Sequence, residues 1–341
     1  MRKEKPVMKR TGKWNALTDV ESLLVGHYTS WEAASGVTVI LCPDGAVAGG
    51  DVRGAAPGTR ETDLLDPCNL VEKVQAIALT GGSVYGLSTC DGIVRWLSKR
   101  NLGFPLLGGH VAPIVPAAAL FDLGRGADYI PPIGPEWGTA ACDAAHDGDV
   151  QVGCVGAGTG AVAGGIKGGL GTASEVLDSG ITVAAIVAVN SLGSVIDPDT
   201  GAPWEIRLEL NGEFGVQGKR TVKIPTPNYD PSPSNTTIGV VATDAALTKA
   251  QAQRISQMAH DGMARAIRPA HTMFDGDTIF CLATGKRELP ETPGFFAAPK
   301  AQSINEIGRA AADCMTRAII RAALEAKSMG EVIAFRDLED K

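Results

Sequence analysis

Asn235, Thr236 and Thr237 stand between a proline-rich stretch (Pro225, Pro227, Pro231, Pro233) and the apolar run IGVVATD, at the lip of what reads as a buried strand. As local pattern this is a linker entering a strand. The same residues also allow self-cleavage. The Thr236 hydroxyl attacks the Asn235 carbonyl, an N-to-O acyl shift gives an ester, and water opens it. The new chain then begins with a threonine that carries both nucleophile and base, because a free α-amine of pKa ~7.7–8.0 is partly neutral near pH 7. The prolines give the severed end room to swing away. The triplet also fits the N-glycosylation sequon, but no apolar segment follows the basic N-terminus to make a secretory signal, so glycosylation is not expected.

A second candidate lies in QVGCVGAGTGAVAGGIKGGLGTA, residues 151–173, where one cation, Lys167, stands among glycines. Gly158-Thr-Gly160-Ala-Val-Ala163 matches G-x-G-x-x-A after the strand-like DVQVGCV, which keeps a nucleotide-binding protein without covalent chemistry as an alternative. Continuing glycines where a helix should follow count against it, since each costs a helix about 1 kcal/mol. A lone lysine in such a loop also reads as a solvated charge. Asp275-Gly276-Asp277 is either a tight turn or a carboxylate pair that orients a cation or proton donor. Gly81-Gly82-Ser83-Val84-Tyr85-Gly86 misses the nucleophile-elbow spacing by one. Ser83 fits better as a helix cap, with Tyr85 in the first turn beyond it. The five histidines show no metal spacing, and the seven cysteines never form C-x-x-C, so no metal site is expected. Buried free thiols in a reducing cytosol explain the cysteines better than disulfides do.

These residues must be positioned by an α/β framework. GVTVILCPDGAVAGGDVRG predicts a hairpin about Pro-Asp-Gly, and PWEIRLELNGEFGVQG another about Asn-Gly. KVQAIALT predicts a buried strand before a helix whose Val84, Leu87, Val94 and Leu97 share one face. VAPIVPAAALFDL reads as an edge or bent strand. GITVAAIVAVNSLGSVID predicts two strand runs around Asn190-Ser191, and TMFDGDTIFCLAT predicts strand, turn, strand. Two capping boxes, Thr248 with Gln251 and Ser303 with Glu306, start helices that end before Pro269 and near Ala326. Adjacent strands with helices in separate blocks favour mixed or antiparallel sheets covered by outer helices, in one large domain.

Composition is that of a globular protein: 341 residues, 44% hydrophobic, 20% charged. A formal charge of −7 argues against nucleic acid or an anionic membrane as partner. Six basic residues crowd the first thirteen positions and read as a mobile tail. No run approaches the ~18 apolar residues of a membrane span.

Taken together, LTDVESLLVGHYTS, GGDVRGAAPGTRETDLL, LTGGSVYGL, GAGTGAVAGGIKGG, AVNSLGSVID, SNTTIGVVATD and HTMFDGDTIF resemble, in order, the DmpA-type aminopeptidases, and most closely their nylon-oligomer hydrolase branch. The resemblance implies an α+β, four-layer αββα fold of the N-terminal-nucleophile hydrolase kind. It implies a single domain, 1–341, autocleaved between Asn235 and Thr236 into 1–235 and 236–341, with the pieces remaining associated and the heterodimers assembling further. Thr236 matches the nucleophile, Lys167 the lysine near it, Asn190 the asparagine beside the reacting carbonyl, Tyr85 a site tyrosine, and Asp275 with Asp277 the acidic pair of that branch. The implied activity is cytosolic amide hydrolysis without metal or organic cofactor. Its substrates would be small peptides, β-peptides, amino-acid amides or ω-amino oligomers. Transfer of the same acyl-threonine intermediate to an amine is the alternative within enzymes.

Overall fold

Alternation decides the layering. Along Thr236–Ala245, Ile238, Val240 and Ala242 enter one core while Val241 and Ala245 enter another, as the period of two in a strand requires. A computed structural model of the chain describes residues 9–216, 224, 235–292 and 298–338. In order, its regular elements are β1 (Leu24–Ser30), β2 (Ser35–Val52), β3 (Gly58–Arg60), β4 (Lys73–Thr80), α1 (Ser83–Gly86), α2 (Thr89–Ser98), β5 (Phe104–Pro105), β6 (Val111–Ala112), β7 (Ala117–Ala119) and α3 (Pro135–Asp143). There follow β8 (Val162–Ala163), β9 (Ile166–Lys167), β10 (Gly169–Val176), β11 (Thr182–Asn190), β12 (Thr236–Ala245), α4 (Lys249–Ala266), β13 (Thr278–Arg287) and α5 (Ala301–Leu324).

Among the described residues, nine strands form one mixed sheet in the order β10-β11-β12-β13-β2-β4-β7-β3, with β1 also paired to β2. The sheet doubles over on itself, giving three cores between four layers. Helices α4 and α5 cover β10–β13 through Val183, Val241, Ile255, Met263, Met315 and Ile319. The two halves of the sheet meet through Ile40, Ile77, Ile186, Ile238, Val240 and Phe280. Helices α2 and α3 cover β2 and β4 through Val37, Val39, Ile93, Leu97 and Trp137. This is the αββα arrangement expected.

β2 makes the fold-over. Pro43-Asp44-Gly45 does not reverse the chain: all eighteen residues run as one strand, with an irregularity in its pairing to β4 between Leu41 and Ala46. Before it, Val37, Val39 and Leu41 face α2 and α3; after it, Val47 packs toward the opposite helices. The extra residues re-aim the strand as a bulge does, so the expected hairpin is replaced by a bend between layers.

Other local expectations also change. Asn211-Gly212 lies in turns after a short 3-10 helix, Ile206–Leu208, because among the described residues no partner strand flanks it. DVQVGCV forms no strand, the apolar run after Asn190-Ser191 makes only isolated bridges, and TMFDGD is irregular until β13 begins. Ser303 lies inside α5 and donates to the Pro290 carbonyl instead of capping. Ser83 has φ +53° and caps nothing; Gly82 precedes the short α1, and Val84 there is exposed rather than packed on the sheet. The Thr248–Gln251 box forms as expected. Residues 1–8 and the prolines at 225, 227, 231 and 233 lie outside the described residues, but Lys9 pairs with Asp313 at 2.7 Å and Arg10 bridges Val176, so the basic stretch is anchored from there on. No described helix is long and apolar enough to cross a membrane.

Candidate active site

Three strands bring Asn190, Thr236 and Gly276 into one row. Asn190 ends β11 directly opposite Thr236, the first residue of β12, so their side chains share the face turned toward the other half of the sheet. Parallel pairing of Ile238 with Thr278, and of Asn235 with Asp275 in an isolated bridge, sets Gly276 on the far side of Thr236. A Cβ on Gly276 would lie 3.0 Å from Thr236 Oγ1 and 2.6 Å from the Ala56 carbonyl, so only glycine leaves the hydroxyl its place. Thr236 is 4% exposed, and its hydroxyl donates to the carbonyl of Asn235. Both residues line a cavity of about 420 Å³ walled by Val84, Leu87, Phe121 and Phe274.

The two aspartates do not form a hairpin turn. Asp277 is buried and accepts from Thr237 N at 2.9 Å, from His271 N at 3.0 Å and from His271 Nδ1 at 2.7 Å. Asp275 accepts from both the backbone (3.0 Å) and the hydroxyl of Thr272, and from Leu192 N at 3.4 Å. Burial, and then the neighbouring Asp277, push the Asp275 carboxyl above its ordinary range. Its hydrogen-bond partners oppose that shift, while Asp277 anchors the backbone N–H groups of Thr237 and His271.

Lys167 is not a solvated charge; it is 1% exposed. Its ammonium donates to the carbonyls of Ala161 (2.7 Å), Gly168 (2.8 Å) and Gly158 (3.3 Å), which accounts for its three N–H bonds. Burial lowers its pKa to about 8, opposed by nearby Cys154 and assisted by the cation Arg125. Asn190 Oδ1 accepts from Val162 N at 3.0 Å and from Arg125 Nη1 at 2.5 Å, while its Nδ2 donates to the Phe121 carbonyl. Asn190 is thus fixed in rotamer and orientation beside Thr236.

Sequence reasoning passed over Arg125, Asp122 and His271. Arg125 also donates to Gly160 O, and burial lowers its pKa against the pull of Asp122. Asp122 is buried, accepts from Gly82 N at 2.6 Å, and is held above its ordinary range by burial. The signal for Arg125 was available: Gly124 and Gly126 flank it directly, a cation among glycines like Lys167 in its glycine-rich stretch. Tyr85 is 46% exposed on α1, beside the cavity-lining Ser83 and Val84 but not itself in the lining.

The glycine stretch is buried and no helix follows it; a Cβ on Gly158 would meet Leu170 N at 2.2 Å, and one on Gly160 the Ala34 carbonyl at 1.9 Å. Its glycines serve close backbone packing and leave no open cradle for phosphate, which removes the support for nucleotide binding. Six of the seven cysteines are buried, and burial raises Cys90 to about 11 and Cys142, Cys281 and Cys314 to about 12, unlike a reactive thiol. Among the described residues no cluster of three or more His, Cys, Asp or Glu is placed to hold a metal ion.

The profile of peptidase family S58 matches residues 15–333. An uncharacterized aminopeptidase of Mycobacterium tuberculosis (strain ATCC 25618 / H37Rv) is 46% identical over 342 residues, covering 95% of this chain and 98% of its own. The 6-aminohexanoate-oligomer endohydrolase of Kocuria sp. (strain KY2) is 28% identical over 330 residues, covering 93% and 88%. Among solved structures, the L-aminopeptidase D-Ala-esterase/amidase of Ochrobactrum anthropi, described as a variant of the Ntn hydrolase fold, superposes with a TM-score of 0.72 at 24% identity, covering 98% of this chain and 93% of that one. With its αββα layers and its match over nearly the whole length, the chain belongs to peptidase family S58, the DmpA-type aminopeptidases, and is a hydrolase of peptide or amide bonds.

Proposed function

We propose that the chain cuts itself between Asn235 and Thr236 and then hydrolyses amides with the Thr236 so freed. The observation that carries this reading is the buried Thr236 hydroxyl, in register with Asn190 and hydrogen-bonded to the carbonyl of the residue before it. In the first reaction Oγ1 adds to the Asn235 carbonyl carbon and the 235–236 C–N bond breaks. The hydroxyl proton passes to the departing nitrogen, leaving an ester. Water adds to the ester, restoring the hydroxyl and leaving a carboxylate on Asn235. In turnover a substrate amide replaces Asn235, its amine leaves with a proton, and water again releases the acid.

Asn190 is the amide that would donate to the oxyanion; such a donor is worth about 2.7–4 kcal/mol. Lys167 supplies a buried positive charge. Once Thr236 has its free amine, that charge favours the amine's neutral, proton-accepting form by like-charge repulsion. Asp275 and Asp277 orient the segment that carries the nucleophile, and Tyr85 stands at the rim. Sheet order supports continued association, because β12 and β13 of the 236–341 piece lie between β11 and β2 of the other. Substrates would be small peptides, β-peptides, amino-acid amides, or ω-amino oligomers of the kind named for the Kocuria relative.

Intact mass and terminal sequencing test this. Wild-type protein should give two pieces, the second beginning Thr-Thr-Ile, and Thr236→Ala one whole chain. Active wild-type protein in a single uncut chain would sink the reading.

A further inference from the structure

His271 is not matched to any site role by the sequence, yet its ring makes a 2.7 Å hydrogen bond to Asp277. Its backbone N–H and its ring Nδ1 both reach the same oxygen, Oδ2, at 3.0 and 2.7 Å, while the other oxygen takes Thr237 N. A carboxylate only accepts here, so Nδ1 carries the proton. The residue achieves this with φ +57°, a left-handed conformation uncommon outside glycine and most tolerated by Asn, Asp and His. Behind it the ring meets that of His260 edge-on at 4.9 Å between centroids. His260 is wholly buried, donates from Nε2 to the Asp51 carbonyl at 3.1 Å, and is kept neutral by burial, which lowers it to about 4. Among the described residues, His271 Nε2 and His260 Nδ1 are buried without a hydrogen-bond partner. A turn does not need a strained histidine with one ring nitrogen committed to a carboxylate and the other unsatisfied.

We infer that His271 is a positioning residue of the Thr236 centre: its ring N–H locks the Asp277 carboxylate in the rotamer that receives Thr237 N, and so holds Thr236 in its row with Asn190. This rests on the proposed Thr236 chemistry. Without the ring, Asp277 can rotate, Thr237 N loses its acceptor, and the hydroxyl drifts from the scissile carbonyl.

The chain is its own substrate, so the test is the rate of Asn235–Thr236 cleavage, followed by intact mass after refolding of uncut protein. His271→Gly removes the ring at a φ that glycine accepts, and His271→Asn keeps a donor near the position of Nδ1. The glycine variant should cleave at least tenfold more slowly than wild type while melting within a few degrees of it, and the asparagine variant should recover to within threefold. In an Asp277→Ala background His271→Gly should add no further loss, since it acts through that carboxylate. Should the glycine variant not fold, the isosteric pair decides: His271→Asn must cleave and His271→Asp must not. Wild-type speed in His271→Gly, equal rates for Asn and Asp, or multiplying losses in the double variant would overturn the inference. Wild type that stays uncut fails the threonine reading itself, a separate outcome.

Discussion

Lys167 and Asn190 hold opposite ends of a single peptide group. The carbonyl of Ala161 receives the lysine ammonium at 2.7 Å, and the N–H of Val162, in the same peptide, donates to Asn190 Oδ1 at 3.0 Å. The cation therefore polarises the group that orients the amide beside Thr236. Asn190→Ala should slow self-cleavage by about 10²–10³-fold, the loss typical of one oxyanion donor. Lys167→Met should slow it by about 10²-fold through misplacement of Asn190, and also lower the melting temperature, because it strands buried carbonyls at about 1–3 kcal/mol each. Wild-type cleavage by either variant, read by intact mass, would break this connection.

The pH dependence has a definite sign. Burial brings Lys167 from 10.5 to about 8, so its charged form is lost as pH rises through about 8. Self-cleavage, which precedes any free Thr236 amine, should fall along that limb, and Lys167→Met should lack it. Stability moves the other way. The unfolded chain keeps its proton to a higher pH than the folded one, so this group's contribution is gained as pH rises from about 8 to 10.5 and lost as pH falls back to 8. A falling rate without unfolding, checked by melting at each pH, separates the two.

Asp275→Asn and Asp277→Asn should differ. Asp277 answers three N–H groups, so an amide there turns its own NH₂ on one of them at a cost of about 1–3 kcal/mol. Asp277→Asn should keep the fold but lose most processing and turnover. Asp275 is already pushed toward its neutral form by burial, and Asp275→Asn gives up chiefly the long bond from Leu192 N, so it should melt closer to wild type. The reverse order of melting temperatures would refute this division.

Gly276→Ala sets a methyl 3.0 Å from Thr236 Oγ1 and 2.6 Å from a backbone oxygen. Overpacking of about 1–3 kcal/mol is expected, with cleavage slowed by about 10²-fold as the hydroxyl shifts. Melting and cleavage rates of the uncut variant check both.

The cut protein should run as one species on size exclusion under native conditions and as two under denaturant, because separation would break the β11–β12 and β13–β2 pairings together. Two native peaks would contradict this.

Residue types singled out positions, while the roles proposed for them came from resemblance. Thr236 drew attention as a hydroxyl opening an apolar strand, and Lys167 as a cation among glycines. Gly276 was visible only as a turn residue, because its closeness to Thr236 comes from parallel pairing across forty positions. His271 offered no spacing signal, since its partner is a carboxylate held by tertiary packing. Pro43-Asp44-Gly45 was misread for a related reason: turn propensity is local, and partners on both sides of β2 kept the strand running through it. The αββα layering came from resemblance; alternation alone could not say which strands shared a core.

The central place of β12 and β13 bears on synthesis as well. The ribosome delivers them after β11 and β2, so β11 presents an unpaired edge until residue 245 emerges, and the latter half of β2 until residue 287 does. A nascent chain stopped short of that point lacks the middle of its sheet. Such products should be insoluble or degraded, and the newborn protein is most exposed to aggregation until β13 is delivered.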